Sequence, residues 1–310
     1  MTNSKMEVKI AEAAPPPILE VQPNATIRSN EALRRLRNPE RGKSAAGNPA
    51  FAHGVASSKA AAVLSGDQEA AKLFWQVQAI ARVQLSFENS FALMKECKFY
   101  EAWCELERCE LTVASLKRHF ASSPKDSHRV DYIQTMVGRW QALYPYKIFF
   151  SPEILKKCIE CSICGGKVSL RNPCGHEKGE IYDGEVCHYR VVECEFLGLS
   201  AVTNPVQKYS VAFTASEDGS GSRDQYDYAI VKFAIDRLSS PYHAWWQEDQ
   251  VRTVPISALA HVSTESRCPC GAGNDFGGCC ASKPEVIVPH CQFVFSVPPP
   301  SDLPMRQLNV

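Results

Sequence analysis

Between Gly66 and Tyr144 the apolar residues recur at helical spacing. Leu73, Val77, Ile80, Phe87, Phe91 and Met94 fall three, four or seven apart, on one face of a 3.6-residue repeat. Phe99, Trp103, Leu106, Cys109, Val113, Leu116 and Phe120 repeat the pattern, with Cys97-Lys98 at the turn between the two helices. Val130, Ile133, Val137, Trp140 and Tyr144 mark a third helix, which ends before Pro145 because proline disfavours helix at the preceding residue. Short connections make successive helices antiparallel neighbours, so the stretch reads as a small bundle. The aromatic stripes and Cys97, Cys104 and Cys109 read as packing.

The pattern changes on either side of this bundle. Residues 1–60 hold Pro15-Pro16-Pro17, alanine runs and few aromatics, which predicts an unstructured tail. In it Arg28, Arg34, Arg35, Arg37, Arg41 and Lys43 face Glu31 and Glu40, a basic stretch open to an anionic partner but read first as a solvated segment. Gly42-Lys43-Ser44 is not a phosphate loop, since the glycine that motif requires five residues earlier is Arg37. Beyond the bundle, Ser151-Pro152-Glu153 reads as a helix start. His188–Phe196 and Tyr209–Phe213 read as strands, residues 217–223 as a flexible loop, and Asp227–Leu238 as a helix. Trp245-Trp246 reads as core before contact patch, and Pro298-Pro299-Pro300 opens a loose tail.

The expected class is α+β: a helical N-terminal domain, a zinc-ribbon-containing α/β domain and a small C-terminal zinc knuckle. The expected boundaries are a tail at 1–60, a helical domain at 61–150, the ribbon domain at 151–265, the knuckle at 266–283, and a strand with a loose tail at 284–310. Lys+Arg and Asp+Glu are both 34, so bulk charge favours neither nucleic acid nor membrane. With no signal-like N-terminus and no spanning apolar run, the sequence predicts a cytoplasmic protein without a membrane partner. In that compartment clustered cysteines, among the 14 present, read as metal sites before disulfides.

Two cysteine clusters carry the candidate chemistry. Cys161-x2-Cys164 forms a knuckle whose turn Gly165-Gly166 permits, and Cys174-x-His176 follows. Three thiolates and an imidazole make a closed tetrahedral zinc set. Cys158, Cys187, Cys194 and His188 compete for those positions. Cys187 is the strongest competitor, because a hairpin at Gly184-Glu185-Val186 returns it to the site. Downstream, Cys268-Pro-Cys270-Gly-x-Gly is followed after a short loop by Cys279-Cys280.

This downstream run resembles the SEC-C motif, a small zinc-binding module found at the C-terminus of the SecA translocase and in many unrelated bacterial proteins. The resemblance implies Cys268, Cys270, Cys279 and Cys280 as ligands and places Phe276 at the motif's aromatic position. The lysine-rich segment of the family reads Asn274-Asp275-Phe276-Gly277-Gly278 here, which weakens the case for docking on acidic surfaces or RNA. A fainter resemblance, from His176 to Cys187 and from Glu195 to Pro205, is to segments of bacteriophage and mobile-element proteins near capsid-maturation protease regions. It implies His176 and Ser200 as base and nucleophile of a hydrolase.

Each set offers four soft ligands, which suits structural sites, whereas a catalytic zinc keeps an open position. Glu177 would serve as a base only if a cysteine were unbound. The leading expectation is a non-enzymatic cytosolic protein that holds two Zn2+ ions, has no catalytic residues and binds a protein partner. The alternatives are a nucleic-acid-binding zinc protein and a phage-related metal-dependent hydrolase.

Overall fold

The computed structural model describes residues 25–42, 44–121, 127–169, 171–216 and 221–300. Its centre is α3, Gln68–Lys95, which starts where the Asp67 carboxylate caps the Ala70 amide at 3.0 Å. It buries Phe74, Val77, Ile80, Val83, Phe87, Phe91 and Met94, with Phe74 taking the interior place expected of half-buried Leu73. The chain reverses at Cys97, in the left-handed region at φ 59°, and returns as α4, Phe99–His119. Then α5, Val130–Leu143, completes the three expected helices.

The expected tail is corrected over residues 25–60. Ala25–Arg35 forms α1 and Pro49–Leu64 forms α2, whose cap is the Asn48 side chain. Leu36, Phe51, Val55 and Ala62 are buried in the main core. Buried Gln84 on α3 binds the segment: its amide donates to the Leu36 and His128 carbonyls at 2.8 and 3.0 Å, and its oxygen accepts from Ser44 at 2.8 Å. α1 is short, and the alanines spread all round α2 leave it no single apolar face, so both are held by tertiary contacts. Residues 1–24 and Lys43 lie outside the described residues.

Ser151-Pro152-Glu153, expected to begin a helix, lie instead in strand β1, Phe149–Cys161. The Phe150 amide points away from the partner strand to the Ser210 carbonyl at 2.8 Å. By strand alternation Pro152 faces the same way, so its missing donor costs no ladder bond. Ile181–Tyr182 (β2) and Glu185–Val186 (β3) form a short hairpin. Tyr189–Val202 (β4) pairs antiparallel with β1 in a two-stranded ribbon with three register shifts. Residues 209–213 make one bridge, Val211 to Phe149, and are pinned to α4: Trp103 Nε1 donates to the Lys208 carbonyl at 2.7 Å and Tyr100 to Tyr209 at 2.8 Å.

Thr214–Ala215 (β5) pairs with Ser222–Arg223 (β6), so the end of the expected 217–223 loop is strand, while residues 217–220 lie outside the described residues. The expected helix follows as α6, Ala229–Asp236. Trp245–Pro255 (β7) pairs in unbroken register with Glu285–Phe295 (β8). Trp245 is fully buried with its ring edge-on to Trp140 at 4.8 Å, so it is core, while Trp246 is half-buried. The expected division near residue 150 is no break in packing, because Val211, Val231, Ile235, Leu238 and Trp245 share one core with α1–α5. Among the described residues no helix is long and apolar enough to cross a membrane.

Candidate metal centres

The upstream cluster forms where β1 ends. Cys161 is its last residue, and the chain turns back so that the Ile163 amide points at the Cys161 Sγ at 3.4 Å and the Gly165 amide at its carbonyl at 2.9 Å. Cys174 and His176 arrive on a second loop. There the Tyr189 hydroxyl, from β4 beside Cys161, donates to the His176 carbonyl at 3.0 Å. One ligating atom from each of Cys161, Cys164, Cys174 and His176 lies within 4.8 Å of all the others. Burial works against charge on Cys161, but the Cys164 and Ile163 amides and the Cys174 and Cys187 thiols hold its thiol down at about 6.

The ring of His176 stands edge-on to Tyr182 at 4.7 Å, and its Nδ1 is buried with no hydrogen-bond partner. A buried polar atom without a partner is costly, and a ligating nitrogen has no need of one. The donor set therefore fits a soft or borderline metal ion.

Among the expected competitors, Cys158 and Cys194 lie along the ribbon, paired with Glu193 and Lys156. His188 turns its Nδ1 to the Val186 carbonyl at 3.3 Å. Cys187 does return to the site. Its Sγ is 3.7 Å from that of Cys161, and both residues are buried. The return depends on the β2–β3 turn, where Asp183 and Gly184 both have positive φ, 51° and 66°. A Cβ at Gly184 would sit 2.7 Å from the Lys59 side chain and 3.0 Å from the Ala71 carbonyl, so the turn abuts α2 and α3.

The same loop docks on the helices elsewhere. Lys59 Nζ donates to the Gly184 carbonyl at 3.2 Å, the Gln68 amide meets Asp183, and Arg118 pairs with Glu180 at 2.9 Å. These long-range partners leave no trace in local sequence.

The downstream cluster is tighter. Cys268, Cys270, Cys279 and Cys280 place their sulfurs within 4.8 Å of one another, with Cys270 to Cys279 at 3.6 Å and Cys279 to Cys280 at 3.7 Å. A tetrahedron with 2.3 Å metal–sulfur bonds has an edge of about 3.8 Å. Gly271 and Gly273 supply the left-handed turns, at φ 81° and 82°. The Ala272 amide is the main reason the Cys270 thiol is held down at about 7.

The short helix α7, Phe276–Cys279, presents the last two cysteines. Phe276, Cys268 and Cys280 are buried with Val286 of β8, in a small core separate from the main one. The knuckle thus seats on the end of the β7–β8 ribbon.

The hydrolase constellation is not assembled. Ser200 pairs with Ser151, ten residues along β1 from Cys161, which is roughly 30 Å of strand away from the cluster holding His176. The Glu177 amide bonds the Tyr182 hydroxyl at 3.0 Å. No protein-family model, curated protein or solved structure matches the chain, so the likeness of residues 268–280 to the SEC-C motif rests on the motif residues alone.

Proposed function

We propose that this chain is a non-enzymatic interaction protein whose binding surface is organised by two structural Zn2+ ions. Cys161, Cys164 and Cys174 with His176 hold one ion, and Cys268, Cys270, Cys279 and Cys280 hold the other. The observation that carries the reading is the convergence of two four-donor sets, each on turns whose amides point at the sulfurs. Such sets favour a closed structural site over one with an open coordination position. A reducing compartment such as the cytoplasm keeps the thiols available.

The surface offered to a partner is the β1–β4 ribbon. Phe150, Pro152 and Ile154 pair with Ala201, Leu199 and Phe196, so all six share one face. Phe196 and Leu199 are 64% and 56% exposed. Two strands alone are marginal in water, and a contiguous apolar face of this kind marks a docking surface. Lys156, Lys157, Glu193 and Glu195 follow it along the ribbon toward Cys161 and give the apolar face a charged end.

The test compares wild-type chain with a Phe196→Ser, Leu199→Ser variant, both tagged and purified from the native host with nuclease present. Loss of a co-purifying protein at unchanged zinc content supports the reading. Association that survives the substitutions but is abolished by nuclease contradicts it and favours nucleic-acid binding.

A further inference from the structure

Four metal-ligating side chains converge at the upstream centre, as many as a tetrahedral ion takes, and a fifth, Cys187, lies against one of them. Cys187 is 1% exposed and its Sγ lies 3.7 Å from that of Cys161. That spacing matches the Cys279–Cys280 edge of the downstream set and the edge of about 3.8 Å for a tetrahedral zinc–thiolate site. His176 has an equal claim, because its buried Nδ1 has no other partner.

The two donors are carried differently. Cys187 is locked by paired backbone bonds, its amide to the Glu180 carbonyl and its carbonyl to the Gly179 amide, both 2.7 Å. The same short loop is held on the helices by Lys59, Arg118 and His119. His176 rides on the neighbouring loop, tied to β4 through Tyr189.

We propose that the upstream centre is a ligand-exchange site: Cys161, Cys164 and Cys174 stay bound while His176 and Cys187 alternate as fourth ligand. The proposal rests on the reading that this centre holds zinc. When Cys187 enters it binds as thiolate, its proton passes to solvent, and the neutral imidazole of His176 leaves. When His176 returns, it binds through an unprotonated ring nitrogen and Cys187 takes a proton back. With Cys187 bound, the ion cross-links the β1–β4 ribbon to the loop docked on the helices. With His176 bound, that cross-link is released without losing the metal. The centre can therefore set how firmly the apolar ribbon is held to the helical body.

The experiment is a double-mutant cycle on the full chain: wild type, His176→Ala, Cys187→Ala and the pair, with zinc affinity measured against a chromophoric chelator. The downstream ion serves as internal reference. Each single change is expected to weaken the upstream ion no more than about tenfold, because the other donor substitutes. Changing both is expected to weaken it by about 100-fold or more, since even outer-shell losses cost 10- to 100-fold.

Cadmium NMR of the same proteins reads the donors directly. The upstream resonance should move toward a four-thiolate environment in His176→Ala and toward three thiolates and an imidazole in Cys187→Ala. If Cys187→Ala leaves affinity and resonance unchanged in both backgrounds, the proposal is overturned. The same holds if His176→Ala alone produces the full loss. Cys187→Ser, closer in size, guards against misfolding. A wild-type chain lacking the upstream ion would contradict the zinc reading itself, a different outcome from any of these.

Discussion

The Nε2 of His119, near the end of α4, lies 2.7 Å from the carbonyl of Gly179 in the loop that leads to Cys187. The His119 side chain is 3% exposed, so this contact joins helical body and metal loop away from water. Replacing His119 by alanine leaves the Gly179 carbonyl without its partner and should cost about 1–3 kcal/mol. Hydrogen exchange should show the loss concentrated at residues 179–187, with α3 protection retained. Uniform loss over the chain would mean that the contact belongs to the global core.

Trp245 closes the main core beside Trp140, and its carbonyl accepts from Arg139 Nη1 at 2.6 Å. Trp245→Ala should destabilise the helical body by about 3–5 kcal/mol in denaturant unfolding, because it opens a large cavity. A change below 1 kcal/mol would place β7 outside the cooperative unit.

Burial raises the Glu88 carboxyl above the ordinary glutamate range, and the Tyr242 hydroxyl at 2.9 Å only partly offsets this. The native state then holds its proton to higher pH than the unfolded chain does. Stability from this group is full below the unfolded value and is lost as pH rises through the raised native one. Glu88→Gln should flatten that fall relative to wild type, measured as melting temperature against pH. An unchanged profile would contradict the assignment.

The three central helices were legible in the sequence because each buries a complete stripe, as Trp103, Leu106, Cys109, Val113 and Leu116 show on α4. Both cysteine clusters were legible because short-range spacing brings their members together. Leu36, Phe51 and Val55 were not, since alanines on every side of α2 hide any apolar face and the segment's partners are remote residues such as Gln84. Pro152 misled in the other direction. Proline after serine suits a helix start, and its tolerance in β1 follows from a ribbon edge that local sequence does not reveal. Cys187 was visible as a competitor through its hairpin glycine. Its 3.7 Å approach to Cys161 needed the docking of that hairpin on α2 and α3.

The downstream knuckle packs on Val286 in a small core of its own, apart from the helical one. Changing Cys279 and Cys280 together to serine should therefore leave the melting of the helical core within about 0.5 kcal/mol, as for changes remote from it. Exchange protection should be lost at the Val254 and Val286 end of the β7–β8 ribbon. A large fall in global stability would show that the knuckle holds the whole fold.

The central claim is that two zinc ions organise this chain, and elemental analysis of full-length protein purified without added metal tests it most directly. Wild type should carry two zinc ions per chain, Cys161→Ser with Cys164→Ser should carry one, Cys268→Ser should carry one, and the variant with all three changes none. Protein that is folded by circular dichroism yet holds no zinc, or a triple variant that keeps it, would contradict the account.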